Sequence, residues 1–258
     1  MLMSGWTRHG VVLASDRRLT YPDGSIAEDR ENKQVVWNNA LVMAYTGLAR
    51  LGPRAEESTH DFMTSALSRT TSGDSWNPTS FADLATAKLR STRRVVNHKS
   101  TGLLFLAIGV GADNRRLGIV ITNLPDAGWS EQPNMSFRAT TYQMPPASIT
   151  VHGQRLHPAA LNSVSRYRRR IERHTSSLKP VAQILALAIQ GAAMSEPRVG
   201  SNVVATMISP GTPSQSLYFP GDQSETTAYH PNVILGHTIL SGIKMTYPDQ
   251  PIRFRYLP

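Results

Sequence analysis

Apolar positions form their clearest pattern in the first fifty residues. Val11 to Ala14 is a short apolar run with two β-branched residues, followed by Asp16, and predicts a buried strand that delivers a polar side chain at its end. Gln34 to Trp37, the turn pair Asn38-Asn39, and Ala40 to Thr46 predict a hairpin that stops at Gly47, where the backbone can bend. Further on, Leu51, Ala55, Phe62, Ala66 and Leu67 set a loose helical rhythm over Leu48 to Arg69, interrupted by Pro53. A polar loop from Thr70 to Thr79 precedes a helix from Phe81 to Asn97, capped by Thr79 or Ser80, with Phe81, Leu84, Ala85 and Leu89 on its buried side.

Leu103 to Val110 and Leu117 to Thr122 predict a very apolar strand pair around a polar turn. Residues 123 to 146 are rich in Pro, Gly, Asn and Ser and read as loop, and Ser148 to His152 predict a short strand ending at Gly153. His157-Pro158 opens a helix through Ile171. Leu178-Lys179-Pro180 opens the most hydrophobic helix, with Val181, Ile184, Leu185, Ala188, Ile189 and Ala192 along its buried stripe. Asn202 to Ile208 and Gln215 to Phe219 predict two more strands, and apolar patches punctuated by prolines complete the chain. No linker or internal repeat divides it, so residues 1–258 form one expected domain, with about 210–258 as C-terminal strands and an extension packed on it. The order of strands, two helices, strands, two helices and strands predicts a layered α+β fold with helices on two sheet faces.

The absence of cysteine from the 258 residues excludes disulfides, thiolate metal sites and a cysteine nucleophile within this chain. No stretch reaches ~18 uninterrupted apolar residues, and Met1 to Gly5 lack the long apolar core of a signal peptide, so a soluble, cytoplasmic protein without a membrane partner is expected. The formal charge of +9 fits attraction to polyanions, but soluble proteins are commonly basic without binding nucleic acid, which is not the expected partner. The strongest basic cluster, Arg166-Tyr-Arg-Arg-Arg170, reads as a solvated helix face or a subunit contact. Gly109-Val-Gly111 fails as a dinucleotide fingerprint, because Asn114 stands where the third glycine belongs and a strand follows. His152 and His157 have no acidic or cysteine neighbour to complete a metal site, and the sequence motifs of zinc proteases, α/β-hydrolases, P-loop proteins and calcium sensors do not occur. No cofactor or metal is expected.

Gly10-Val-Val-Leu-Ala-Ser-Asp16-Arg-Arg18, Lys33 and Thr46-Gly47, in that order and spacing, resemble the proteasome β-subunit family and its bacterial relatives among the N-terminal-nucleophile hydrolases. The likeness spans residues 1 to about 210, is specific in the first fifty, and elsewhere rests mainly on element order. It implies a four-layer αββα sandwich, a threonine- or serine-type peptidase acting on peptide or protein substrates, and assembly into a ring-like homo-oligomer. Asp16, Lys33 and Gly47 match the family's catalytic positions, and Arg18 matches the arginine beside that aspartate. The family's two serine-containing turns correspond to His152-Gly153-Gln154 and Glu196-Pro197-Arg198-Val199-Gly200.

The chemistry of that site follows from elementary considerations. A hydroxyl is a weak nucleophile near neutral pH, and an adjacent α-amine, ordinarily titrating at about 7.7–8.0, can take its proton. A lysine beside the hydroxyl favours the alkoxide, an aspartate keeps that lysine charged and oriented, and a glycine N–H can stabilise the oxyanion. These are the roles that the resemblance implies for Lys33, Asp16 and Gly47. The departure is at the first residue, where the family's nucleophile falls at Met1 and methionine supplies none. Ser4 and Thr7 are the nearest hydroxyls, but freeing Ser4 would shorten the first strand. A non-catalytic scaffold or assembly subunit and a basic polyanion-binding module are the alternative functions.

Overall fold

In the computed structural model, β1 (Leu2–Thr7) and β2 (Gly10–Asp16) form a hairpin whose strand residues are all buried. The structure describes residues 1–20, 25–92, 102–111, 113, 115–125, 132–143, 145, 148–153, 177–221 and 230–241. The chain continues through β3 (Leu19–Thr20), β4 (Ile26–Glu28), β5 (Gln34–Trp37), β6 (Leu41–Gly47), β7 (Arg50–Leu51), β8 (Glu57–Ser58), α1 (Thr59–Arg69), β9 (Thr71–Ser72), β10 (Ser75–Trp76) and α2 (Pro78–Thr92). Then come β11 (Leu103–Val110), β12 (Arg116–Thr122), β13 (Arg138–Gln143), β14 (Ser148–His152), α3 (Leu178–Ala193), β15 (Val203–Ile208), β16 (Gln215–Phe219), β17 (His230–Ile234) and β18 (His237–Ser241).

Two large sheets carry the core. One has the order β14-β1-β2-β15-β16 and the other β13-β12-β11-β6-β5-β17-β18. Their pairs are antiparallel except β5 with β17, which run parallel. Because strand side chains alternate, β2 sends Val12 and Ala14 toward α3, while Val11 and Leu13 join Val42, Ala44, Leu106 and Ile108 in a cluster drawn from both sheets. The other face of β6 and β11 packs Met43, Tyr45 and Phe105 with Phe62, Met63 and Phe81 of α1 and α2. A strand buried on both faces reads as an unbroken apolar run, which is the pattern of Val11 to Ala14. The β5–β6 hairpin turns on Asn38 and Asn39 with φ of 46° and 54°, the two positive angles that a tight two-residue turn requires.

The expected α+β four-layer αββα sandwich is corrected by this architecture. Among the described residues the fold is mostly β, with strand (44%) well above helix (23%), three helices, and several sheets. Three two-stranded ribbons, β3–β4, β7–β8 and β9–β10, accompany the two large sheets. Part of the difference lies in residues 123–146, where the loop expected from Pro, Gly, Asn and Ser contains β13, whose Ala139 to Tyr142 pair along β12. Another part lies in Leu48 to Arg69, where helix begins only at Thr59. Pro53 and Gly52 favour a turn between β7 and β8, and the Ser58 hydroxyl then caps α1 by accepting from the Asp61 N–H at 2.9 Å. Asn77, rather than Thr79 or Ser80, caps α2 through its side-chain oxygen. The helix read from His157 to Ile171 lies outside the described residues. No described helix is long and apolar enough to cross a membrane.

Gly10 fixes how β2 meets β15. Its φ is +148°, and a β-carbon there would stand 2.1 Å from the Ile208 carbonyl oxygen. Gly10→Ala is therefore expected to destabilise the fold by about 1–3 kcal/mol through strain and forced displacement. Urea unfolding measures this, and an unchanged midpoint would disprove the close approach.

Candidate functional site

Asp16 is the last residue of β2, and Met1 heads the neighbouring strand, so the hairpin register brings the two side by side. The Asp16 N–H donates to the Met1 carbonyl at 3.3 Å, and the Met1 amine donates to Asp16 Oδ2. Lys33, just before β5, reaches across from the other large sheet. Its ammonium donates to Asp16 Oδ1 at 2.9 Å and to the Arg18 carbonyl at 2.5 Å. The same Oδ1 accepts from the Arg18 N–H at 2.9 Å and from the Gly200 N–H at 3.4 Å. Asp16 is fully buried and Lys33 nearly so, at 6% exposed.

Burial alone would raise the Asp16 pKa, but the Lys33 ammonium, the Met1 amine and their hydrogen bonds outweigh it and hold the carboxyl down to about 2. Burial dominates at the Met1 amine and lowers it from its ordinary value, with Lys33 acting in the same direction and Asp16 opposing both. The arrangement is chemically an ionised carboxylate that orients an ammonium, beside an amine whose protonated form is disfavoured by burial.

Gly47 ends β6 with φ +115° and is exposed. Two residues before it, the Tyr45 N–H donates to the Lys33 carbonyl at 3.2 Å, which ties the end of β6 to the Lys33 backbone. Its neighbour Thr46 is buried, and Gly153, at the end of β14, packs between Thr46 and Met1: a β-carbon on Gly153 would be 3.1 Å from Thr46 Oγ1 and 3.3 Å from Met1 Cα. Asp16 and Lys33 are thus in direct contact, with Gly47 at the adjoining strand end. Arg18 directs its guanidinium to Asp29, 2.5 Å from Nε to Oδ1, and to the Pro197 carbonyl at 2.7 Å. Ser4 and Thr7 are buried elsewhere along β1, Ser4 bonded to Thr150 and Trp6, and Thr7 to the Gly10 carbonyl. His152 bonds Thr150 at 3.1 Å, and burial pushes its pKa down to about 4. His157 and Arg166 to Arg170 lie outside the described residues.

Three participants escaped the reading of the sequence. Asp29, the partner of Arg18, sits in a polar stretch with no distinguishing pattern. Thr46 belongs to the Thr46-Gly47 pair that carries the resemblance, where no role is implied for its side chain. Gln34 follows Lys33 and passes its side chain between the sheets, where Nε2 donates to Ser15 Oγ at 2.8 Å and to the Val204 carbonyl at 2.9 Å, while Oε1 accepts from Thr206 at 2.6 Å. A polar residue opening a strand was its one signal. Among the described residues no cluster of three or more His, Asp or Glu could hold a metal ion.

Because the folded Asp16 pKa lies below its unfolded value of about 3.9, its ionised form stabilises the fold above that pH, and this contribution is lost as pH falls from about 4 through about 2. A shift of this size corresponds to roughly 2–3 kcal/mol. Asp16→Asn is expected to lose that acid-dependent component and to destabilise the protein at neutral pH by about 3–5 kcal/mol, since it leaves the Lys33 ammonium buried without its carboxylate. Chemical denaturation of both proteins across this pH range measures the effect, and parallel stability profiles would contradict it. Comparison of the chain with protein-family models matches no family, and comparison with curated proteins finds no similar sequence.

Proposed function

We propose that this chain carries the polar frame of a proteasome-type N-terminal-nucleophile amidohydrolase, acting on peptides in the cytoplasm as a ring-like homo-oligomer. The supporting observation is the fully buried Asp16 carboxylate, held by the Lys33 ammonium on one oxygen and the Met1 nitrogen on the other. In this chemistry a hydroxyl or thiol on the amine-bearing residue attacks the peptide carbonyl carbon, and the amine takes its proton. The carbonyl electrons move onto oxygen, collapse of that oxyanion breaks the C–N bond, and the proton passes to the leaving amine. Lys33 lowers the cost of the alkoxide, Asp16 holds Lys33 in place, and the Gly47 N–H is assigned to the oxyanion.

The attack requires threonine, serine or cysteine at the head of β1, and the thioether of Met1 cannot perform it. A second reading, a non-catalytic scaffold or assembly subunit, is favoured by the Met1 side chain, which is buried in the apolar cluster beneath α3. In that reading the ion pair serves to anchor the strand ends.

Protein purified from its native host separates the two readings through N-terminal sequencing, intact mass and hydrolysis of fluorogenic peptide amides. A mature chain that begins with Thr, Ser or Cys, turns over such amides, and loses roughly a hundredfold or more of its rate on Lys33→Ala supports the hydrolase. A Met1-Leu2 terminus without turnover supports the scaffold. Undiminished hydrolysis by a folded Lys33→Ala variant would eliminate the role assigned to Lys33.

A further inference from the structure

A second polar site lies at the opposite end of β1 and β2. The hairpin between them turns through Arg8 and His9, while β15 ends at Ile208 and is followed by Ser209 and Pro210. On the other large sheet, Val110 at the end of β11 pairs with Arg116 at the start of β12. These chain ends border a cavity of about 440 Å³ lined in part by Arg8, His9, Val110, Arg116, Ser209 and Pro210. The seven residues of β2 run from this cavity to Asp16, and six strand steps of ~3.3 Å separate the two by roughly 20 Å.

Both arginines are held through Nε. Arg116 reaches from the seven-stranded sheet to the five-stranded one, with Nε donating to the Thr7 carbonyl, and Arg8 Nε donates to His9 Nε2 at 2.9 Å. The turn beneath them is fixed as well, because the His9 N–H donates to Thr7 Oγ1 at 3.1 Å and Thr7 Oγ1 donates to the Gly10 carbonyl at 3.2 Å. Among the described residues no carboxylate pairs with Arg8 or Arg116, and no hydrogen bond occupies the terminal amino groups of either. Arg115 next door is different, paired with Asp113 at 2.8 Å. Two arginines lining one cavity put like charges at its border, and an anion bound there is attracted by both.

We propose that this cavity binds a small molecule through a phosphate group. Two guanidinium forks match the charge and the several acceptor oxygens of a dianionic phosphate, whereas a single carboxylate would leave one cation uncompensated. The cavity exceeds a bare phosphate in size, and Val110 and Pro210 give it an apolar wall, so the ligand is a phosphate ester whose organic part lies against those residues. Neither arginine belongs to the Asp16–Lys33 site, and binding here does not require that site to be catalytic.

The test is isothermal titration of the full chain at low salt with two probes, inorganic phosphate and adenosine monophosphate. Both are expected to bind, the ester more tightly, and Arg8→Gln and Arg116→Gln are each expected to weaken binding roughly tenfold. Arg115→Gln, beside the cavity and already paired in the parent, serves as the control and is expected to leave affinity unchanged. Thermal unfolding checks Arg116→Gln, which loses a cross-sheet hydrogen bond, while Arg8→Gln alters an exposed hairpin turn. Absence of binding by both probes at millimolar concentration would overturn the proposal, as would equal weakening by all three variants, which reflects net charge alone.

Discussion

A carboxylate with no solvent exposure has to be surrounded by donors, and the fold around Asp16 meets that requirement from four separate parts of the chain. The head of β1, the backbone at Arg18, the ammonium of Lys33 and the N–H of Gly200 all converge on its two oxygens. Each is supplied by a different structural device: a hairpin register, a turn after β2, a residue entering β5 and the approach to β15. The ion pair therefore reports on assembly as much as on chemistry. Removing one member leaves the others as buried polar groups without compensation, the costly direction in which to break such an arrangement.

The two large sheets explain why these donors arrive at one place. Their inward-facing side chains form one apolar cluster, and the outward faces are covered by α3 on one sheet and by α1 and α2 on the other. With both faces of the central strands buried, polar residues are confined to strand ends and to the few positions where a side chain can find partners inside. Asp16 and Lys33 lie at one set of ends, and Arg8 and Arg116 at the other. The same architecture thus yields two polar sites of opposite character, one a buried, compensated ion pair and the other two arginines that border a cavity with no carboxylate partner among the described residues.

What could be read from the sequence follows the range of the interactions. The strand at Val11 to Ala14, the Asn38-Asn39 hairpin and the helix opening at Leu178 are set by neighbours within a few residues, and their patterns were plain. Asp16 and Lys33 could be paired as candidates because together with Gly47 they match the motif of the family that the sequence resembles, while each alone has an ordinary structural reading. Gly200 could be matched as a turn, but its contact with Asp16 spans 184 positions and has no local signature. β13 was missed because Arg138 to Gln143 is only partly buried at the edge of its sheet, where polar residues are tolerated and the apolar alternation fades. The balance between strand and helix was misjudged for a related reason, since the short ribbons around α1 are held by a few contacts that composition does not encode.

Gln34 adds a mechanical consequence. Its amide bridges β5 to β2 and β15 in the middle of an otherwise apolar interior, and Thr206 continues the chain of bonds to Ser216 at 2.8 Å. Sliding one sheet over the other would break these bonds with no water at hand to replace them, so the sheets are latched at the residue next to Lys33. The ammonium is thereby tied to a backbone that resists shear, and the distance between lysine and aspartate is set by the framework of the two sheets.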